Sequence, residues 1–194
     1  MPPSKELNLE QSNDLSNQFL IAMPGLEDSL FNHTVTYICD HNEHGAMGLI
    51  INQPLGISLT DVFEQLQLPC SPAIGNKQVL AGGPVNGQQG LVLHRKQGKW
   101  ESSLEITPEI CLTASKDIVE AMAKDQAPPG AQLALGYAGW SPGQLEEELN
   151  SNMWLTMPAD SRILFDTETD QRWNAAAKAL GINLDLISTQ TGHA

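Results

Sequence analysis

The chain has few basic and few aromatic residues. Its 194 residues include 10 Lys and Arg against 23 Asp and Glu, which gives a formal net charge of −13. Proteins that bind DNA or RNA neutralise phosphates with clustered cations. The largest basic cluster here is Arg95, Lys96 and Lys99, and aromatic residues make up 5% of the chain, too few and too dispersed for a base-stacking platform. We therefore expect no direct nucleic-acid binding.

Long apolar runs and paired cysteines are also missing. No segment approaches the ~20 apolar residues of a membrane-spanning helix, and the polar residues 1–17 lack the apolar stretch of a signal peptide. Cys39, Cys70 and Cys111 are odd in number and irregularly spaced, which disfavours a disulfide framework. We expect a soluble cytoplasmic protein without membrane contact; its oligomeric state stays open.

Apolar residues make up 41% of the chain and charged residues 17%, enough to form a core. The length favours one domain. We predict a flexible polar tail at 1–17 and a single domain at 18–194. Strand patterns dominate the first half and helical patterns the second, which predicts an α+β fold with a mixed sheet rather than a doubly wound parallel sheet. The predicted strands are 19–23, 34–39, 46–51, 78–81, 90–94 and 133–138, and the predicted helices are 58–66, 114–124, 144–150 and 172–180.

Residues 139–143 match the pattern G-x-S-x-G of a hydrolase nucleophile, with Ser141 at its centre and acids and His193 downstream. In such sites the N–H of the residue after the serine donates to the oxyanion, but Pro142 has no N–H. The segment is also typical of a helix start, with Ser141 as N-cap, Pro142 in the first turn and Gln144 completing a capping box. We assign no catalytic residue, and a hydrolase that uses Ser141 remains the alternative.

Two glycine-rich turns follow predicted strands and could offer backbone N–H groups to an anion. The Lys and Ser/Thr pair of a phosphate-binding P-loop is absent, and Glu146–Glu148, predicted as a solvated helix face, would repel an anion. We expect segments 39–54, 82–87 and 136–143 to converge on a site for a small anionic ligand or an unknown protein partner. The candidate ligand-binding residues are Asn52, Gly82, Gly83, Gly139, Trp140, Ser141 and Gly143.

Cys39, His41 and His44 form C-x-H-x-x-H, and all three are residue types that bind zinc. The spacing matches no standard zinc site, and no second Cys/His cluster would complete four ligands. A polar hairpin loop after a buried Cys39 is the interpretation we prefer. We therefore assign no metal and no cofactor, with a metal-dependent enzyme at these residues as a further alternative.

Several motifs together resemble the YqgE/AlgH family, among them CDHNEHGAMGLIINQP at 39–54 and LGYAGW at 135–140. The other matching segments are 19–24, 82–85, 143–146, 154–155, 165–167, 172–173 and 192–194. The resemblance implies a bacterial single-domain α+β protein whose mixed sheet curls toward a barrel flanked by helices. It implies no established reaction, cofactor or catalytic residue.

One branch of that family is labelled a transcriptional regulator. With a net charge of −13, a regulatory role would run through a protein or a small ligand rather than through DNA. The leading prediction is therefore a non-catalytic protein that binds a partner or a small ligand, with a regulatory role.

Overall fold

The computed structural model describes residues 14–22, 33–74 and 76–182. The strands in these ranges are β1 (Gln18–Ala22), β2 (Val35–Asn42), β3 (Gly45–Ile50), β4 (Pro54–Ser58), β5 (Gln78–Ala81), β6 (Val85–Arg95), β7 (Ser103–Thr107), β8 (Ile110–Thr113), β9 (Gln132–Trp140) and β10 (Trp154–Pro158). The α-helices are α1 (Leu59–Gln65), α2 (Lys116–Ala123), α3 (Gln144–Asn150), α4 (Ser161–Phe165) and α5 (Arg172–Ala179), with a 3₁₀ turn at Thr169–Gln171.

The strands form one sheet in the order β10-β1-β2-β3-β9-β6-β8-β7, with β5 beside β9 and β4 beside β5. Strands β5 and β9 run parallel, whereas the other pairs in the described ranges are antiparallel. The sheet curls into a half-barrel with helices around it. This confirms the predicted α+β class with a mixed, barrel-like sheet.

Alternating side chains of the strands enter separate cores, as the two-residue period of a strand requires. In β6, Leu91 and Leu93 enter the core that also contains Phe19 and Tyr37 and that α4 and α5 cover. Val92 enters the core formed with α1 and α2. A third core contains α3 and the other face of β1 and β2. The helices thus cover both faces of the sheet.

Local sequence determines where helix α1 begins and where helix α5 ends. The Ser58 hydroxyl accepts a hydrogen bond from the Asp61 N–H, and the Asp61 carboxylate accepts one from the Ser58 N–H, which is a complete capping box for α1. Gly181 follows α5 with a φ of +73°, a conformation that glycine adopts without a Cβ clash. The two helices lie within the predicted ranges 58–66 and 172–180.

Of the predicted tail, residues 14–17 contact the domain and residues 1–13 lie outside the described part of the chain. The Asn17 N–H donates to the Ile38 carbonyl over 2.9 Å, and the Ala159 N–H donates to the Asn17 carbonyl over 3.0 Å. No helix in the described residues is both long and apolar enough to cross a membrane.

Candidate functional site

An open cavity of about 480 Å³ lies between the segment that leads into β5, the first residues of β9 and the C-terminal helices. We call it the Arg172 cavity, because Arg172 lines it and yet only 4% of this residue is exposed. Its lining also includes the side chains of Lys77, Gln132, Phe165, Asp166 and Glu168. Charged side chains are rarely this buried unless they are paired.

Hydrogen bonds hold the Arg172 guanidinium in one orientation. Its Nε donates to the Thr167 carbonyl over 3.1 Å, and its Nη1 donates to the Ile51 carbonyl and, over 2.7 Å, to Gln132 Oε1. The Gln132 amide nitrogen donates to the Leu164 carbonyl, so its oxygen faces Arg172. Three segments far apart in sequence therefore position one side chain.

The third guanidinium nitrogen, Nη2, has no hydrogen-bond acceptor among the described residues. Within the described ranges the acceptors of Arg172 are neutral oxygens, and it forms no ion pair with a carboxylate there. Burial lowers the pKa of Arg172 to about 10, so the side chain stays charged at neutral pH. A buried cation that lacks an ion-pair partner in the described residues and lines a cavity can bind an anionic group there.

The remaining charges of the cavity fall into two groups. Asp166 is neutralised by Arg95, whose Nη2 lies 2.9 Å from each carboxylate oxygen, and Arg95 also stacks on Phe165 at 4.6 Å. Lys77 and Glu168, in contrast, form no ion pair within the described residues. Glu168 acts on Arg172 electrostatically across a gap longer than an ion pair.

The three segments predicted to converge do meet, but through backbone contacts. The Gly82 N–H donates to the Leu135 carbonyl and its carbonyl accepts from the Ile50 N–H, both over 2.9 Å. A Cβ on Gly83, whose φ is +153°, would lie 2.1 Å from the Tyr137 carbonyl carbon. The glycines at positions 82 and 83 thus allow β3, β5 and β9 to meet closely.

The Asn52 side chain forms two hydrogen bonds, each of 2.8 Å, with the backbone at the start of β2. It accepts from the Val35 N–H and donates to the His33 carbonyl. None of the seven predicted ligand-binding residues lines the Arg172 cavity. Ligand binding by those residues stays a prediction.

Ser141 is not the helix N-cap that the sequence suggested. The N-cap is Gly143, in a left-handed conformation with φ of +78°, and the Ser141 hydroxyl donates to Gln144 Oε1 over 3.0 Å. Only half of the predicted capping box forms, in which Gln144 accepts from the Ser141 N–H. The hydroxyl therefore bonds an amide oxygen, whereas a nucleophilic serine needs a basic partner. His193 lies outside the described residues.

The residues proposed for a metal do not assemble. The pairing of β2 with β3 shifts between Ile38 and Asp40, which makes Cys39 the extra residue of a bulge. Cys39 enters the core with Tyr37, and burial raises the pKa of its thiol, whereas a metal binds the thiolate. His41 instead bonds Glu146 of α3, and His44 is exposed. No metal-ligand cluster occurs in the described part of the chain.

The acidic run of α3 is not a uniformly solvated face. Glu146 Oε1 lies 2.7 Å from His41 Nε2, and Glu148 Oε2 accepts from the indole N–H groups of Trp140 and Trp154 over 2.9 and 2.8 Å. Only Glu147 is exposed as predicted. We call the other five residues the α3 network: His41, Trp140, Glu146, Glu148 and Trp154. Its partners are supplied by β2, β9 and β10, which a local charge pattern cannot show.

Sequence reasoning missed Arg172 as a functional residue. One hint was available, since Arg172 lies four residues before Ala176 and five before Ala177, on the helix face that is buried. A cation on an apolar helix face needs a partner, and this one has its partners at Ile51 and Gln132. His94 is 1% exposed, and its ring nitrogens bond the Arg95 carbonyl and the Thr113 hydroxyl.

Comparisons with known proteins agree with the sequence motifs. A family profile described as AlgH-like matches residues 19–185. A UPF0301 protein of Saccharophagus degradans is 54% identical over 180 residues, which cover 93% of this chain and 89% of that protein. One of Thioalkalivibrio sulfidiphilus is 51% identical over 183 residues, covering 94% and 98%.

Two solved structures share the fold. The solution structure of the AlgH protein from Pseudomonas aeruginosa is 43% identical, with a TM-score of 0.78 and full coverage of both chains. A Corynebacterium diphtheriae protein, 18% identical with a TM-score of 0.66, covers 84% of this chain and 86% of its own and is similar in fold alone. The names of these relatives state no reaction or ligand. The chain belongs to the AlgH-like family.

Proposed function

We propose that the protein is a non-catalytic binding protein that holds a small ligand in the Arg172 cavity through an anionic group of that ligand. One observation carries the proposal: Arg172, only 4% of which is exposed, is hydrogen-bonded within the described residues to neutral oxygens alone and lines a cavity of about 480 Å³. Cavities of this volume are typical of small-molecule sites. An anionic ligand group at Arg172 would supply the ion-pair partner that the described residues do not provide.

The surroundings favour binding over reaction. The acceptors that hold Arg172 are themselves fixed, because two are backbone carbonyls and the third belongs to Gln132, whose amide nitrogen donates to the Leu164 carbonyl. Such preorganisation increases affinity because little side-chain entropy remains to be lost. We further propose that the protein acts in the cytoplasm, without direct nucleic-acid contact, and that a regulatory role runs through occupancy of this cavity.

Isothermal titration calorimetry with hexanoate and with inorganic phosphate tests the proposal. We expect at least one of these anions to bind the unmodified protein and to raise its melting temperature through linkage. Arg172→Lys keeps the charge but loses the fork of donors, so affinity should fall at least about tenfold. The matched control, Arg162→Lys, alters an exposed arginine on α4 outside the cavity and should bind normally.

Lys77→Gln guards against a folding defect in the Arg172 variant. Lys77 is exposed and unpaired in the described residues, so its replacement should leave the fold intact and weaken anion binding about threefold. Absence of binding by either anion to the unmodified protein, or equal binding by the Arg172→Lys protein, would overturn the proposed function.

A further inference from the structure

The unpaired carboxylate of the Arg172 cavity narrows the kind of ligand. Glu168 lines the same cavity as Arg172 and Lys77 and forms no ion pair in the described part of the chain. Asp166, the other carboxylate of the cavity, is already bonded to Arg95 through both oxygens. The cavity therefore offers two cations and one free carboxylate.

Glu168 and Arg172 are near enough to interact electrostatically, yet no nitrogen–oxygen pair between them lies within ion-pair distance. They are separated by the 3₁₀ turn Thr169–Gln171. Both residues line the same cavity, so a ligand in it can reach both charges. A ligand that carries both charges can satisfy Arg172 with its anion and Glu168 with its cation.

A simple anion fits this charge pattern less well. Its charge would be attracted by Arg172 and Lys77 but repelled by Glu168, and the repulsion grows with each additional negative charge. Polyanions are further opposed by the net charge of −13. A ligand with one carboxylate beside one ammonium group can pair with both Arg172 and Glu168, whereas Lys77 is exposed and stays accessible to water.

The wall beyond these charges is partly apolar, since Leu80 and Leu133 also line the cavity. The volume of about 480 Å³ is several times that of a carboxylate and an ammonium group together. A side chain of several carbons can occupy the remainder. Resting on the proposed anion-binding function, we infer that the ligand is a zwitterionic amino acid with an extended, largely apolar side chain, bound through Arg172 at its carboxylate and Glu168 at its ammonium group.

Three probes that share a butyl chain test this inference. Norleucine carries both charges, hexanoate lacks the amino group, and pentylamine lacks the carboxylate. Calorimetry on the full chain should show norleucine binding about tenfold tighter than hexanoate, and pentylamine not binding. In Glu168→Gln, norleucine and hexanoate should bind equally, because the ammonium loses its charged partner and the carboxylate loses a repulsion.

Glu147→Gln makes the same chemical change on an exposed residue of α3 and should keep the preference for norleucine. Hexanoate binding as tightly as norleucine to the unmodified protein would overturn the inference and leave the proposed anion site standing. A norleucine preference that survives Glu168→Gln would overturn it too. Binding of no probe, phosphate included, would overturn both. Circular dichroism of each variant verifies that it is folded.

Discussion

The α3 network and the Arg172 cavity both bury charged side chains, but they satisfy them differently. In the α3 network each buried donor meets a carboxylate of the same chain: His41 meets Glu146, and Trp140 and Trp154 meet Glu148. In the Arg172 cavity the cation meets neutral oxygens and open volume.

The difference indicates that the α3 network has a structural role and that the Arg172 cavity has a role in binding. A network that is complete within the chain has no donor left for a ligand and contributes to stability, because its loss leaves buried polar groups unpaired. A buried charge that lies beside a cavity and lacks an ion-pair partner is stabilised more by a bound ligand of opposite charge than by its contacts within the fold. We therefore expect the α3 network to govern the free energy of unfolding and the Arg172 cavity to govern affinity.

The largest expected effect is on the α3 network. Glu148→Ala removes the shared acceptor of two indole N–H groups and should lower the free energy of unfolding by about 2 kcal/mol, since each buried donor left unpaired costs about 1–3 kcal/mol and Glu148 is only half-buried. Urea denaturation followed by tryptophan fluorescence measures this change. Anion affinity should stay constant.

Glu148→Gln is the matched control, because its amide oxygen can still accept from both indoles, and it should cost less than about 1 kcal/mol. If Glu148→Ala were as stable as the unmodified protein, the α3 network would not have the structural role assigned to it.

The second-largest expected effect comes from a substitution that gives Arg172 an ion-pair partner within the chain. Gln132→Glu places a carboxylate at the position that now accepts from Arg172 Nη1. The charge of Arg172 would then be paired within the chain, and hexanoate affinity should fall at least about tenfold, which corresponds to about 1.4 kcal/mol. Calorimetry measures the affinity.

Gln126→Glu adds the same charge on an exposed residue outside the cavity and should change affinity little. Equal losses in the two variants would mean that general charge repulsion, rather than pairing of Arg172, controls binding.

The smallest effect concerns pH and a second satisfied group. Burial lowers the pKa of His94 from 6.5, so between the two pKa values the unfolded chain binds a proton that the folded chain does not. Stability from this group is therefore complete above pH 6.5 and declines as the pH falls below it. Urea denaturation at about pH 7.5 and about pH 5.5 should show this decline.

His94→Gln isolates the contribution of this histidine, since the other histidines remain in both proteins. Its stability should vary less between the two pH values than that of the unmodified protein. An identical pH dependence in both proteins would contradict the buried, neutral His94.

Local patterns predicted the parts of the fold that depend on neighbouring residues. The short apolar run in 90–94 and the apolar and capping residues of the helix predicted at 58–66 need only a few consecutive positions. Strand β7 was missed because it lies at the sheet edge, where Leu104 is 42% exposed and no apolar run marks the strand. The bulge that separates Cys39 from His41 also left no pattern.

The site could be predicted less well than the fold, for a physical reason. Ile51 and Gln132 lie 121 and 40 positions from Arg172 in the sequence, so only the folded sheet brings their oxygens to its guanidinium. The same holds for His41 and Glu146, which are 105 positions apart. Glycine-rich turns, in contrast, are visible locally but are used here for close strand packing.

The most direct test of the central claim is NMR detection of the arginine side-chain Nε–Hε groups during titration with hexanoate. We predict that the Arg172 resonance, assigned by its loss in Arg172→Lys, shifts in a saturable way with the affinity measured by calorimetry, while the exposed Arg162 resonance stays fixed. An Arg172 resonance that does not move while hexanoate binds would place the anion elsewhere and contradict the account.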